Sequence, residues 1–491
     1  MSAVVVLIVI VLYFAMLVGV SWFTTRKRSG EGDFFVGDKR SPWYVVAIAM
    51  IGTSISGVTF ISVPGMVAAT QFSYIQMVLG FVAGYIVVAY VLLPLYYRLN
   101  LYSIYGFLEQ RFGLCSYRTG AMFFLISKFL GCGVRMYLTA LVLQLVLFES
   151  LGVPFWLNVA ITMLVVYLYT FKGGVKTLVW TDMLQTLSLI LAVVLAIVCI
   201  ARAMGLSFGD MMSQVVESPM SQMWFFDDVN DKRYFFKQFL AGMFTTIAMT
   251  GLDQDMMQKN LSCKNLSDAR KNVISYGIAF LPVNLLFLAL GVLLYMYASH
   301  LGLMGAEGQL ATLKPDELFP YLATSGDLPM VVGILFVVGL IAAAFSSAGS
   351  AVTALTTSVT IDMFRADRGE DKTKLVKIRG RVHIANCVVM GVLIWFFQVI
   401  GNGSVIDAVY ILASYTYGPL LGMYLYGLYT KRKVNDKLMP YVCVVAPLLS
   451  WVISTNSEQW LGGYKMGYEL LLVNALITIL GMWFTCLKQS K

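Results

Sequence analysis

Predominantly apolar runs of about 20 residues or more, each long enough as a helix to cross a hydrocarbon core, recur from one end of this chain to the other. They fall near residues 3 to 23, 44 to 70, 74 to 97, 119 to 148, 155 to 171, 178 to 201 and 235 to 253. The remainder fall near 274 to 299, 329 to 364, 381 to 400, 404 to 428, 438 to 455 and 468 to 487. The pattern predicts an all-α, multi-pass membrane protein of about thirteen transmembrane helices. The first run is expected to stay as a signal-anchor-like span: no basic residue precedes it, and it ends in Arg26, Lys27 and Arg28.

Composition agrees, with 59% hydrophobic residues, 12% charged residues and a mean hydropathy of +0.78. Charge then orients the spans. Arg26 to Arg28 should remain cytoplasmic, which puts the N-terminus outside and, after thirteen spans, the C-terminus inside. Alternate loops fit: Arg98, Arg111, Arg118, Lys172, Lys176, Lys259, Lys264, Arg270 and Lys271 fall on the inner side, as do the cations from Arg365 to Arg381, Lys431 to Lys433, Lys437, Lys488 and Lys491. The long outer loops near 203 to 234 and 300 to 328 hold acids such as Asp210, Glu217, Glu307 and Asp316.

The net charge of +9 is accounted for by cytoplasmic Lys and Arg facing anionic lipid, so no nucleic-acid partner is expected. The seven cysteines, Cys115 and Cys263 among them, have neither metal-ligand nor disulfide-framework spacing. His300 and His383 both lie near span ends, and no histidine-based catalytic or zinc site is expected. No linker or soluble domain interrupts the chain, so residues 1 to 491 form a single transmembrane domain.

Two spans carry breaks. The sequence AIAMIGTSISGVTFISVPG places Gly52, Thr53, Ser54, Ser56, Gly57, Thr59 and Pro64 inside an apolar run. One reading is an unwound turn that frees the carbonyls of Gly52 and Ile55 for a cation; the other is a helix kinked at Pro64 and packed through small residues. The span at 235 to 253 has a similar texture in Gly242, Thr245, Thr246, Thr250 and Gly251. Interrupted spans five apart are what an inverted five-plus-five repeat produces, with halves at about 44 to 201 and 235 to 428 and peripheral helices at 3 to 23, 438 to 455 and 468 to 487.

Another span, GLIAAAFSSAGSAVTALTTSVTIDM, is unusually rich in hydroxyls. Ser346 and Ser347 follow Ala343 by one helical turn, so one patch can present three uncharged oxygens, a set suited to sodium. The same residues equally suit close helix packing.

A charge near the bilayer centre costs about 2.5 to 3.5 kcal/mol on insertion scales, so each one calls for a reason. Arg135, one or two turns beyond Lys128, can hold a solute carboxylate in a bidentate pair, or bond helix-end carbonyls or a neighbouring acid. Asp182 can attract a cation towards the cytoplasm, or cap its helix or pair with Lys176. Glu109 reads as a solvated or capping acid of an inner loop.

Five segments in order, TSISGVTFISVPG, YSIYGFLEQRFG, GGVKTLVWTDMLQ, DQDMMQKNLSCKNLSDA and AAAFSSAGS, give the chain a resemblance to the sodium/solute symporter family over nearly its whole length. The resemblance implies a ten-helix core of the leucine-transporter type. It implies a main sodium site from the carbonyls of Gly52, Ile55 and Ala343 and the hydroxyls of Ser346 and Ser347. A second sodium, bound in some relatives, would use Ser346, Ser350 and Asp182, but Gly349 stands where those relatives have a serine. The implied solute pocket is lined by Ser54, Ser56, Thr59, Gln76, Met249, Thr250 and Ser414, with Arg135 resembling the arginine that holds the carboxylate in sialic acid carriers. Ile411 stands where galactose carriers place a glutamine, which points away from galactose.

The expectation is a sodium-coupled symporter in the cell (inner) membrane, importing a small polar solute such as a sugar, sugar acid or carboxylate, with no obligate protein partner. A proton-coupled carrier would need a titratable group in the main cation site, and a transporter-like sensor would be expected to carry a signalling domain. An enzyme is not expected, for want of a nucleophile and base or a metal motif at membrane depth.

Overall fold

The computed structural model describes residues 3–25, 41–101, 103–171, 174–305, 310, 313–366, 372–400 and 405–486. Arg26, Lys27, Arg28, Lys172, Glu307, Arg368, Lys488 and Lys491, which entered the orientation argument, lie outside the described residues, as does the side chain of Lys176.

The apolar runs fold as helices, and β structure among the described residues is confined to isolated bridges such as Ser41 with Cys263. The helices used below are α1 (Ala3–Thr25), α2 (Trp43–Ser54), α3 (Gly57–Gly65), α4 (Val67–Leu99), α5 (Leu114–Phe148), α6 (Phe155–Thr170) and α7 (Gly174–Ala203). They continue as α8 (Phe235–Thr246), α9 (Gln254–Asn260), α10 (Leu266–His300), α11 (Met330–Met363), α12 (Lys372–Ile400), α13 (Val405–Tyr429), α14 (Met439–Trp460) and α15 (Leu470–Phe484). Among the described residues seven helices are long and apolar enough to cross a membrane, and eight if the bent pair α2 and α3 is one span. This is fewer than the thirteen apolar runs, because several of those runs form shorter helices such as α6 and α15.

The α2/α3 break lies at Ile55 and Ser56, between segments bent by 59°. Both residues are extended, with ψ of 94° and 175°, and the last amide of α2 to bond back is that of Ile55, to the Ile51 carbonyl. Pro64 is the next-to-last residue of α3, about two turns beyond the break, and does not set the bend. A second break follows α8: a π turn over Ile247–Gly251 leads to Leu252 and an extended Asp253, whose carboxylate caps α9 by accepting the amides of Asp255 (2.8 Å) and Met256 (3.2 Å).

Helices α7 and α11 pack against each other and against α2, and α5 packs on α13 and α11. A Cβ at Gly52 would lie 2.0 Å from Thr186 Oγ1, so α2 can approach α7 this closely only through glycine. The aromatic group Phe60, Phe287, Phe319 and Phe336 fixes α3 against α10 and α11, with ring centroids 4.8 to 6.1 Å apart. Among the helices long and apolar enough to span, α11 is the most enclosed, 72% of its most apolar stretch being buried against 22% for α14. The hydroxyl-rich helix is therefore the centre of the molecule.

Candidate functional site

A helix that ends at membrane depth leaves carbonyls without amide partners. Among the described residues, no backbone amide donates to the carbonyls of Gly52, Thr53 or Ile55 at the end of α2. Ser347 of α11 reaches this end, its hydroxyl donating to the Thr53 carbonyl at 3.4 Å. Ser346, fully buried, donates to Asp182 Oδ1 at 2.9 Å, which leaves its oxygen lone pairs free to meet a cation. Neutral carbonyls with the negative end of the α2 dipole, together with two hydroxyls, form a donor set that suits a hard monovalent ion.

Beside this set lies a compact cavity of about 110 Å³. It is lined by Ser54, Ser56 and Thr59 from the break, by Met249 and Thr250 from the π turn, and by Arg135, Tyr74, Tyr410 and Ser347. The guanidinium of Arg135 forms no ion pair with any described acid. Ser54 is also hydrogen-bonded to Tyr276, which in turn bonds Tyr85.

The structure corrects four expectations. Gln76 is fully buried and does not line the cavity: its Nε2 donates to the Arg233 carbonyl (2.7 Å) and its Oε1 accepts from the Phe225 amide (3.2 Å), tying down the outer loop. Ser414 also lies off the cavity, donating to the Tyr410 carbonyl at 2.8 Å while its own carbonyl faces Asn474 of α15. Ile411 is exposed on the outer side of α13, and Val409, Tyr410 and Ala413 are the residues of that helix which face the cavity. Asp182 pairs with Lys259 at 2.5 Å, both side chains being buried, and Lys259 is not an exposed inner-loop cation. Glu109 is held by Arg365 at 2.5 Å. His383 bridges Thr170 and Thr356 at 2.9 and 3.0 Å, locking α6, α11 and α12 together.

Sequence reasoning missed the polar floor of the cavity. Lys128 contacts Asp255 at 2.7 Å and Asp253 at 3.2 Å, and the Tyr417 hydroxyl donates to Asp253 at 2.5 Å. The signal was present in DQDMMQK, where two acids follow directly on an interrupted span.

The chain and its fold match known carriers. The model of the sodium:solute symporter family matches residues 34–437, and the chain belongs to that family, in which sodium is the coupling ion. The sodium/sialic acid symporter NanT of Aliivibrio fischeri is 25% identical over 483 residues, covering 95% of this chain and 91% of NanT. The human sodium-coupled monocarboxylate transporter 1 is 25% identical over 439 residues, covering 88% of this chain and 68% of that protein. A sodium-coupled sialic acid symporter, solved substrate-bound and outward-open, superposes with a TM-score of 0.80 at 19% identity over 98% of this chain and 97% of that one. The fold is thus that of a multi-pass membrane carrier.

Proposed function

We propose that this protein imports a small organic carboxylate together with sodium by alternating access. The observation that carries the solute class is Arg135, a guanidinium facing a cavity of hydroxyls with no ion-pair partner among the described residues. A planar, permanently charged fork in a partly enclosed site suits a carboxylate, and the hydroxyls of Ser54, Ser56, Thr59 and Thr250 suit the solute's own polar groups. Relatives that carry sialic acid and monocarboxylates support the same class.

Sodium is held by the carbonyls of Gly52, Ile55 and Ala343 and the hydroxyls of Ser346 and Ser347. Ser347 and Thr53 touch both this set and the solute cavity, so each ligand favours the geometry that the other needs, and the coupling is reciprocal. The two breaks, at Ile55 and Asp253, head two runs of five spans, residues 44 to 201 and 235 to 428, which act as inverted halves and rock about the site. The N-terminus lies outside and the C-terminus in the cytoplasm.

Uptake of a sugar acid and of a short monocarboxylate into proteoliposomes, measured with and without an inward sodium gradient, tests this reading. Accumulation of one of them only with sodium is expected, and Arg135→Ala should raise its half-saturating concentration about tenfold or more, corresponding to roughly 1.4 kcal/mol. Uptake indifferent to sodium would sink the coupling. An unchanged half-saturation in Arg135→Ala would sink the carboxylate role.

A further inference from the structure

The nest around Asp182 already contains a cation. Lys259 of α9 extends into it and is 1% exposed, and Asp182 is fully buried. An ammonium has three donors, and here each has an oxygen: Asp182 Oδ2 at 2.5 Å, Ser350 Oγ at 2.5 Å and Thr53 Oγ1. The acceptors are oriented in turn, since Ser350 donates to Asp182 Oδ2 at 3.1 Å, Ser346 donates to Oδ1 at 2.9 Å, and the Thr53 hydroxyl has the Ala49 carbonyl at 3.0 Å and Asp182 Oδ2 at 3.3 Å as its acceptors. The nest is closed on four sides, by α2, α7, α9 and α11.

A second and separate observation concerns position 349. A Cβ there would lie 2.1 Å from the Tyr169 hydroxyl, which itself donates to the Phe345 carbonyl. The room for a further side-chain ligand on α11 is thus taken by a tyrosine from α6. Ser350, Ser346 and Asp182 remain, and the charge they surround is the chain's own.

We propose that the Lys259 ammonium is a tethered cation that takes the place of a second sodium ion, so that this carrier binds one sodium per chain. The inference rests on the reading that Gly52, Ile55, Ala343, Ser346 and Ser347 hold the first. A mobile ion leaves its oxygens when the protein turns inward; a lysine cannot leave, so the nest neutralises Asp182 throughout the cycle and adds no ion to the transported set.

The test is the number of radioactive sodium ions bound at saturation by the purified full-length protein, together with the Hill coefficient of sodium-induced thermal stabilisation. One ion and a coefficient near one are expected for the natural protein. In Lys259→Ala, Asp182 is freed, and the count should rise to two. In Lys259→Ala with Asp182→Asn the nest has no charge, and the count should return to one. Two ions on the natural protein, or one ion on a folded Lys259→Ala variant, would overturn the proposal. The count on the natural protein decides even if Lys259→Ala fails to fold. No bound sodium at all would instead overturn the sodium-site reading under Proposed function.

Discussion

Two oxygen clusters share Ser346 on one helix, yet they are built for opposite purposes. The proposed sodium set gathers neutral carbonyls at the end of α2 with Ser346 and Ser347, and among the described residues Ser347 hydrogen-bonds a neutral carbonyl, whereas Ser346 alone of the set bonds Asp182. The Asp182 nest gathers an ionised acid, two further hydroxyls and Lys259. Neutral oxygens compete with water only modestly for a monovalent ion, so such a set can take up an ion and release it. A buried carboxylate is far costlier to leave alone, and at this depth a permanent counter-charge is the stable solution. What separates an exchangeable ion from a fixed one is thus the acid beside it.

The largest effect should follow from removing that acid. Asp182→Ala leaves the Lys259 ammonium buried with only two hydroxyls, and breaking a buried pair from one side costs about 3 to 5 kcal/mol. The expected outcome is a large fall in the unfolding temperature of the detergent-solubilised protein. Adding Lys259→Met, which removes the stranded charge and keeps much of the side-chain volume, should restore most of it. A loss below about 1 kcal/mol for Asp182→Ala would remove the distinction between the two clusters.

A smaller effect is expected at Gly349. Because a Cβ there would meet the Tyr169 hydroxyl at 2.1 Å, Gly349→Ser should destabilise by about 1 to 3 kcal/mol, the usual range for forcing atoms into a packed site. Tyr169→Phe in the same chain should recover part of the loss, though it also forfeits the bond to the Phe345 carbonyl. An unchanged unfolding temperature for Gly349→Ser would show that the serine is accommodated and that the nest has room for another ligand.

How much of this was legible beforehand depends on the range of the interaction. Local chemistry was readable: glycines and hydroxyls in an apolar run marked the break at Ile55, and Ser346 and Ser347 were picked out by their spacing from Ala343. Register and long-range pairing were not. Gln76, Ser414 and Ile411 lie on the helices expected to bear the pocket, but a helical turn carries their side chains to other faces. Lys259 shows the limit most clearly, since by hydropathy it belongs with the inner-loop cations. Only the fold brings α9 within reach of Asp182, 77 positions earlier in the chain. The Lys259–Asp182 pair is thus a tertiary fact, whereas most of the proposed neutral set lies in two short segments.

The subtlest prediction separates binding from packing at Ser347. Its hydroxyl meets the Thr53 carbonyl at 3.4 Å, long for an O–H donor, so the bond itself contributes little. Without sodium, Ser347→Ala should therefore unfold within about 1 kcal/mol of the natural protein, since a small cavity and a weak bond are all that is lost. With sodium the two should diverge, because an ion ligand is missing. A tenfold weaker dissociation constant, about 1.4 kcal/mol, is the expected size, read as a displaced sodium dependence of the unfolding temperature. The same substitution at Ser350 removes an oxygen of the Lys259 nest and not of the sodium set, so it should lower stability equally with and without sodium. If Ser347→Ala behaved like Ser350→Ala, losing stability alike in both conditions, the hydroxyl of Ser347 would be a packing group and the boundary between the exchangeable and the fixed cation would have to be drawn elsewhere on α11.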